Sequence, residues 1–466
     1  MSVHFNPSKL SKNQKQIIKK FLTLQPKDTG YFSRKRFWIQ PKDPILFYYV
    51  NISKDEIVLP YTFANRLIGK NINKSHNYPT LNFKFEGSLW KDQIPVAQEA
   101  LELLLHKYTV TLGVYPGFGK TVVSAYLSSH LNGLTLVIIP RTTLQTQWKK
   151  TYKKFTNAQT WIVGEEEPSN FNVIICMNTR IHKIPQNILI KVKCLIIDEA
   201  HMFCTSSQVG SLLASQPLYI IACSATLNKR KDGMQSMIHA LCGTHGIFKA
   251  STKPFDVYKL ETGVNCPIEK NKHGDPNWSQ LVRDLAFNPD RNAIIIDLIE
   301  RNKNFKIILL TWSKVHAFWL KDILQKRGNN VDVLAGNKKM YSDSDILVGT
   351  MSKIGTGFDE STFCIDFKGR KSNMMIICGS TKDEVGLEQF TGRVFRAKFP
   401  IIFDLVDDNP ISKKHWSARS KWYLERNGTI KTYQINPNNK NKTNVSTLNK
   451  SQHQHLQKIK QKWGLK

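Results

Sequence analysis

Short, uninterrupted apolar runs, recurring in two series, constrain the fold of this chain more than any other feature. The first series comprises Thr135–Ile139, Asn172–Cys176, Cys194–Ile197 and Leu218–Ala222. The second comprises Lys306–Leu310, Asp345–Val348, Asn373–Cys378 and Pro400–Phe403. A strand with one face in water alternates apolar and polar residues, so a continuous apolar run calls for cover on both faces. Helix-length amphipathic segments separate several of the runs. The expected fold class is therefore α/β, with two doubly wound parallel-sheet domains in tandem over 86–250 and 286–435. The irregular stretch 251–285, with Pro254, Pro267 and Asp275-Pro276, reads as a linker. Residues 1–85, with strand-like runs Ile45–Val50 and Glu56–Leu59, read as an N-terminal accessory domain for nucleic acid or a protein partner. Residues 436–466 are dominated by Asn, Lys, Gln, Ser and Thr. They read as a flexible basic tail with a short helix around Gln452 to Trp463.

Ahead of the first series, the apolar run Val110–Tyr115 leads into Gly117-Phe-Gly-Lys-Thr121, and the helix-like stretch Thr121–Leu131 follows. Glycines let backbone N–H groups turn toward an anion, and a helix N-terminus adds partial positive charge. Gly117, Phe118, Gly119, Lys120 and Thr121 are thus candidate phosphate-binding residues. Lys120 would reach the β- and γ-phosphates and Thr121 would hold Mg²⁺. The general pattern has a further glycine where this chain has Val114. Directly after Cys194–Ile197 comes Asp198-Glu-Ala-His201. A carboxylate at the C-terminal end of a strand, in the same sheet as a phosphate loop, is placed to hold Mg²⁺ through Asp198. The neighbouring Glu199 is placed to orient and deprotonate an attacking water. Both residue types are also ordinary helix caps, so the upstream loop is what gives them weight.

The chain carries a formal net charge of +31, and its pI is near 9.7. That balance calls for a polyanionic partner, and nucleic acid is the default because each lysine can neutralise a phosphate and release a counterion. From 411 onward there are thirteen Lys/Arg against one acid, Glu425. Among the eight cysteines, Cys176, Cys194, Cys223 and Cys378 sit in apolar runs, and no Cys-x-x-Cys pair occurs. This argues against a zinc or disulfide framework and for an intracellular, reducing compartment. No apolar run approaches the ~20 residues of a membrane span, so a soluble protein without a membrane partner is expected.

The glycine loop, Asp198-Glu-Ala-His201 and Ser224-Ala-Thr226, in that order, resemble motifs I, II and III of superfamily 2 helicases and translocases of the DEAH-box type. Downstream, Thr350 with Gly355-Thr-Gly-Phe-Asp359 resembles motif V, and Gln389-Phe-Thr-Gly-Arg-Val-Phe-Arg396 matches motif VI. The resemblance implies two RecA-like domains and an ATP hydrolase in which Arg393 and Arg396, on the second, reach ATP bound to the first. It also implies that Gly357, Asp359 and Gln389 line the nucleotide cleft and that Ser224 and Thr226 couple its closure to movement. Leu89-Trp-Lys-Asp-Gln93 resembles the segment whose glutamine reads adenine, although Trp90 and Asp92 replace the usual Arg and Tyr; Gln98 is a fallback.

Nucleic-acid contacts are implied at Arg141 and Thr142 (motif Ia), Asn178 and Thr179, Ser313 (motif IV) and Thr350, with helix capping the plain alternative. Leu144-x-x-Gln147-Trp148, together with Ser224 to Met234, resembles the group of the excision-repair B-type translocase, phage annealing helicases and the poxviral transcript-release helicase. The Asn/Lys-rich ends look like versions from large DNA viruses, which would place the protein in host cytoplasm and the virion. A monomeric motor acting on DNA, with transcription or repair proteins as partners, is the expectation. An RNA helicase and a partner-dependent nucleotide switch within a transcription complex stay open as alternatives. Trp416, Trp422 and Tyr423, at helical spacing, read as core.

Overall fold

A computed structural model describes residues 2–25, 44–69, 77–227, 233–271, 274–355 and 357–435. The expected basic tail, its short helix and Trp463 lie outside the described residues, as do Thr356 and the segment 228–232. The chain forms two compact units, Met1–Lys249 and Ala250–Lys466.

In unit 1 the N-terminal block carries β1 (Ser2–Phe5), β2 (Thr23–Leu24), β3 (Ile45–Leu46), β4 (Tyr49–Asn51) and β5 (Glu56–Pro60). Strands β1, β5 and β4 pair antiparallel in that order, and β2 pairs with β3. The run Ile45–Val50, expected as one strand, is split between these two sheets. A helix, Lys12–Leu22, opens on a capping box between Ser11 and Gln14. Leu10, Ile18, Leu22, Ile57, Leu59 and Phe63 share a core with Ala240. Thr62 Oγ1 donates to the carbonyls of Ala240 and Leu241 at 2.8 and 2.7 Å. The block is thereby fastened to the helix Ser236–Cys242 of the same unit.

The rest of unit 1 is built on β6 (Thr109–Val114), β7 (Leu134–Ile139), β8 (Thr160–Ile162), β9 (Val173–Met177), β10 (Val192–Ile197), β11 (Tyr219–Cys223) and β12 (Gly246–Lys249). They form one all-parallel sheet in the order β12-β6-β11-β10-β7-β9-β8. Alternate residues feed opposite cores: Leu136, Ile138, Leu195 and Ile197 lie on one face, and Val137, Ile139, Cys194 and Ile196 on the other. Burial on both faces is the physical origin of the uninterrupted apolar runs, since each such side chain gains about 1.5–3 kcal/mol from leaving water.

Unit 2 repeats the design with β13 (Phe255–Glu261), β14 (Ile307–Thr311), β15 (Val331–Leu334), β16 (Ile346–Thr350), β17 (Met374–Ile377), β18 (Ile401–Val406) and β19 (Gly428–Gln434). The order is β15-β16-β14-β17-β18-β13-β19, again all parallel. Here the linker expectation is corrected. Strand β13 lies inside 251–285 and is paired on both sides, with β18 and β19. Its residues alternate between buried and half-buried, so the stretch lacks a continuous apolar signature.

Two buried ion pairs fix the end of unit 2. Arg419 grips Asp404 through Nε and Nη2 at 2.7 and 2.8 Å, and Tyr423 donates to the same carboxylate. Arg291 Nε and Thr262 Oγ1 donate to Asp407 at 2.8 and 2.9 Å. Trp422 and Tyr423 are core residues and Trp416 packs beside them. All eight cysteines are buried thiols.

Candidate functional site

Because each seven-stranded sheet is all parallel, every strand of that sheet delivers the chain to the same edge, where α/β proteins place their ligands. In unit 1 the segments following β6, β7, β9, β10 and β11 contain the residues singled out there, apart from Gln93 and its fallback Gln98 on the helix Gln93–Lys107.

After β6 the chain turns through Gly117 and Gly119, both left-handed at φ 88° and 93°, into the helix Lys120–His130. A Cβ at Gly119 would stand 2.4 Å from Gln93 Nε2, so any side chain there displaces the Gln93 amide. Gln93 is buried. Its Nε2 donates to the Phe118 carbonyl at 2.7 Å and its Oε1 accepts from the Trp90 N–H at 2.9 Å, so it braces the loop. Gln98 is exposed. The Phe118 ring lies in the core, edge-on to Tyr115, which leaves the backbone as this residue's contribution to the loop. Lys120 Nζ donates to the Val114 carbonyl at 3.2 Å.

At the end of β10, Asp198 is buried and accepts from Trp148 Nε1 at 2.8 Å and from the Glu199 N–H at 2.9 Å. Burial, reinforced by the Glu199 charge, pushes its pKa up, while the indole bond and Lys120 pull it down. Glu199 adopts left-handed backbone, φ 49°, an uncommon conformation for a residue with a side chain. Its carboxylate lies 3.4 Å from His201 Nδ1, which also meets Ser224 Oγ at 3.1 Å. Ser224 in turn accepts from the Thr226 N–H at 3.2 Å, and both residues are fully buried. The Asp-Glu-Ala-His and Ser-Ala-Thr segments are therefore joined by the His201–Ser224 hydrogen bond.

Two contacts were not anticipated from the sequence. The helix Thr143–Phe155 carries Trp148, bonded to Asp198, and Gln147, whose Nε2 donates to Thr121 Oγ1 at 3.3 Å. The signal available was the Leu144-x-x-Gln147-Trp148 pattern, which marked a branch of the family and suggested no role. Of the candidate nucleic-acid residues in this unit, Thr142 and Thr179 are exposed, Arg141 is half-buried and Asn178 is buried, bonded to the Gln208 side chain.

In unit 2, Ser313 follows β14 and caps the helix Lys314–Lys326, accepting from the His316 N–H. Thr350, the last residue of β16, is buried and bonds Ser352 Oγ at 3.2 Å. Gly357 is left-handed at φ 80°. Asp359 and Arg396, read from the sequence as separate nucleotide contacts, form an ion pair. Asp359 Oδ1 also accepts from the Ser361 N–H, and the carboxyl is held down to about 2 against burial, chiefly by the Arg396 charge. Arg393 is buried and donates Nη2 to the Gly355 carbonyl at 2.5 Å. Gln389 is buried on the helix Glu384–Thr391. That helix is tied down by Glu388, which accepts from Trp422 Nε1 at 3.3 Å and Arg426 Nη2 at 2.9 Å.

Among the described residues, no three His, Cys, Asp or Glu side chains gather to hold a metal ion. Thr121 and Asp198 suit Mg²⁺, which typically takes one or two protein oxygens and completes its shell with phosphate and water. Among the described residues no helix is long and apolar enough to cross a membrane.

Residues 87–229 match the family described as type III restriction enzyme, res subunit. A putative helicase, 161L, of Invertebrate iridescent virus 6 is 28% identical over 434 residues, covering 85% of this chain and 93% of that protein. The DNA 3'-5' translocase XPB2 of Sulfurisphaera tokodaii is 28% identical over 268 residues, covering 52% of this chain and 60% of that protein. Among solved structures, yeast (S. cerevisiae) Dbp5 bound to RNA and ADP BeF3 shares the fold, with a TM-score of 0.53 and 15% identity over 80% of this chain and 98% of that one. The motif order, the two all-parallel sheets and these relatives together make the chain similar to the nucleic-acid helicases of superfamily 2 and support an ATP-hydrolysing enzyme.

Proposed function

We propose that this helicase is a translocase on DNA, driven by Mg²⁺-dependent ATP hydrolysis at the sheet edge of unit 1. The observation that carries the reading is the convergence of Lys120, Thr121, Asp198 and Glu199 at one edge of one parallel sheet, with Lys120 near enough to act electrostatically on Asp198. In this reading the amides of Gly117, Phe118 and Gly119 and the Lys120 ammonium bind the phosphates. Thr121 and Asp198 would hold Mg²⁺, which supplies charge neutralisation at the β- and γ-phosphates. Glu199 accepts a proton from the attacking water. Arg393 and Arg396 keep the catalytic roles, and Gly357, Asp359 and Gln389 the nucleotide-contact roles, that the resemblance implies. The His201–Ser224–Thr226 chain relays changes at the carboxylates to the neighbouring strand end. Arg141, Thr142, Asn178, Thr179, Ser313 and Thr350 hold the phosphate backbone without reading bases. The preference for DNA follows the translocase relative named for DNA.

The test is ATPase rate at low salt with duplex DNA, single-stranded DNA or RNA, with Lys120→Ala as the control. Strong stimulation by DNA and little by RNA supports the proposal. Preferential stimulation by RNA makes it an RNA helicase. A slow rate unaffected by any nucleic acid turns the assignment toward a partner-dependent module.

A further inference from the structure

The helix Thr143–Phe155 presents an inner face of Leu144, Trp148 and Tyr152, spaced four residues apart and all buried. From this face and its flank, three polar contacts reach the helix Lys120–His130 and the end of β10. Tyr152 shares a 2.9 Å hydrogen bond with Ser128 on the helix Lys120–His130. Gln147 Nε2 donates to Thr121 Oγ1 at 3.3 Å, in the first turn of that same helix. Trp148 Nε1 donates to Asp198 Oδ2 at 2.8 Å, at the end of β10. Consecutive residues of one helix thus reach the two side chains that would hold a divalent cation, although these lie on different elements.

We propose that Gln147 and Trp148 are positioning residues that set the geometry of the divalent cation bound with nucleotide at Thr121 and Asp198. The inference rests on the assignment of those two residues to the cation.

The chemistry of the donors supports it. An indole N–H can only donate, so the Trp148 contact has one sense. With the Glu199 N–H on Oδ1 and the indole on Oδ2, the Asp198 carboxylate is held at both oxygens and cannot swing. Each carboxylate oxygen still has a free lone pair. On Thr121 the Gln147 amide occupies one lone pair of Oγ1 and leaves the other for a cation. The carboxamide and indole do not touch the ion; they fix the atoms that do. Outer partners of this kind govern affinity for the ion more than affinity for the rest of the ligand. The indole bond is shorter and buried, so Trp148 carries the larger share.

The experiment uses the full chain with Trp148→Phe and Gln147→Leu. Mn²⁺ is titrated by electron paramagnetic resonance in the presence of saturating ADP, and fluorescent ADP binding is measured in parallel in EDTA. Mn²⁺ affinity is expected to fall about tenfold in W148F and by less in Q147L, the range typical of lost outer partners. ADP affinity in EDTA should stay within about twofold of the unmodified protein, because these residues touch no phosphate-binding group except Thr121. A loss of Mn²⁺ affinity matched by an equal loss of metal-free ADP affinity would mean that the pair only packs the site, and overturns the proposal. Unchanged Mn²⁺ affinity overturns it as well. If W148F does not fold, as circular dichroism would reveal, Q147L alone decides by the same criterion. Failure of the unmodified protein to bind Mn²⁺ with ADP in a Lys120-dependent way overturns instead the assignment of Thr121 and Asp198, and the inference with it.

Discussion

Substituting Gly119 by alanine tests the construction of the phosphate loop directly. The residue sits at φ 93°, and an added Cβ would stand 2.4 Å from Gln93 Nε2. Two penalties follow. Holding a residue with a Cβ in left-handed backbone costs about 1–2 kcal/mol. The Gln93 amide must also retreat and give up its 2.7 Å bond to the Phe118 carbonyl, a loss of about 1 kcal/mol. The total is about 2–3 kcal/mol. Gly69 supplies the comparison: it is also left-handed, at φ 74°, but has open space around its would-be Cβ. Gly69→Ala should therefore show the backbone penalty alone. The assay is urea unfolding, following the transition that G69A displaces, since both glycines lie in unit 1. A double-mutant cycle with Gln93→Ala isolates the contact, and the coupling should be about 1 kcal/mol. If G119A costs the same with and without the Gln93 side chain, the claim that Gln93 braces the loop is refuted.

Other expectations follow from the same geometry. Glu199→Gln should lower the ATPase rate by about 10²-fold or more while nucleotide binding, read by fluorescence, is retained; an unchanged rate would remove Glu199 from the proton-accepting role. Asp407→Asn leaves the Arg291 guanidinium buried without its counter-charge, and should destabilise unit 2 by about 3–5 kcal/mol in denaturant unfolding. Replacing both partners, as Arg291→Met with Asp407→Leu, should recover most of that loss. Burial, helped by nearby arginines, lowers His316 to about 3 and His415 to about 4. These histidines stay neutral in the fold and take up protons on unfolding, so stability is full above about pH 6.5 and falls as the pH drops toward the folded values. At pH 5 each should contribute a loss of about 2 kcal/mol, and His316→Asn should flatten the slope of stability against pH. The eight buried thiols should resist a water-soluble disulfide reagent until the chain unfolds.

The central strands of both sheets were legible because burial on two faces leaves a local mark, a run without polar residues. Strands β7, β9, β10, β11, β14, β16, β17 and β18 all lie inside their sheets and all follow such runs. Strands β8, β12, β15 and β19 lie at sheet edges, and β13 lies next to one. Their burial is less complete than that of the central strands, so polar residues break the pattern. The misreading of β13 as linker has this cause. In the same way Ile45–Val50 looked like one strand because its composition is apolar throughout, whereas pairing partners divide it.

The order of the chemical segments was also carried by the sequence: the glycine loop, Asp198-Glu199, Ser224-Ala-Thr226, then the arginines of the second unit. Strand-end placement follows from an all-parallel sheet, so the segments of the first unit could be assigned to one edge before any coordinates. What the chain alone could not reveal is which side chains hold one another. Gln147 reaches Thr121 across 26 residues of sequence, Trp148 reaches Asp198 across 50, and Arg396 reaches Asp359 across 37. Apolar patterning records how deeply a residue is buried, because water excludes apolar surface wherever it lies. A hydrogen bond depends on the position and direction of two particular groups, and only the packing of one element against another decides that.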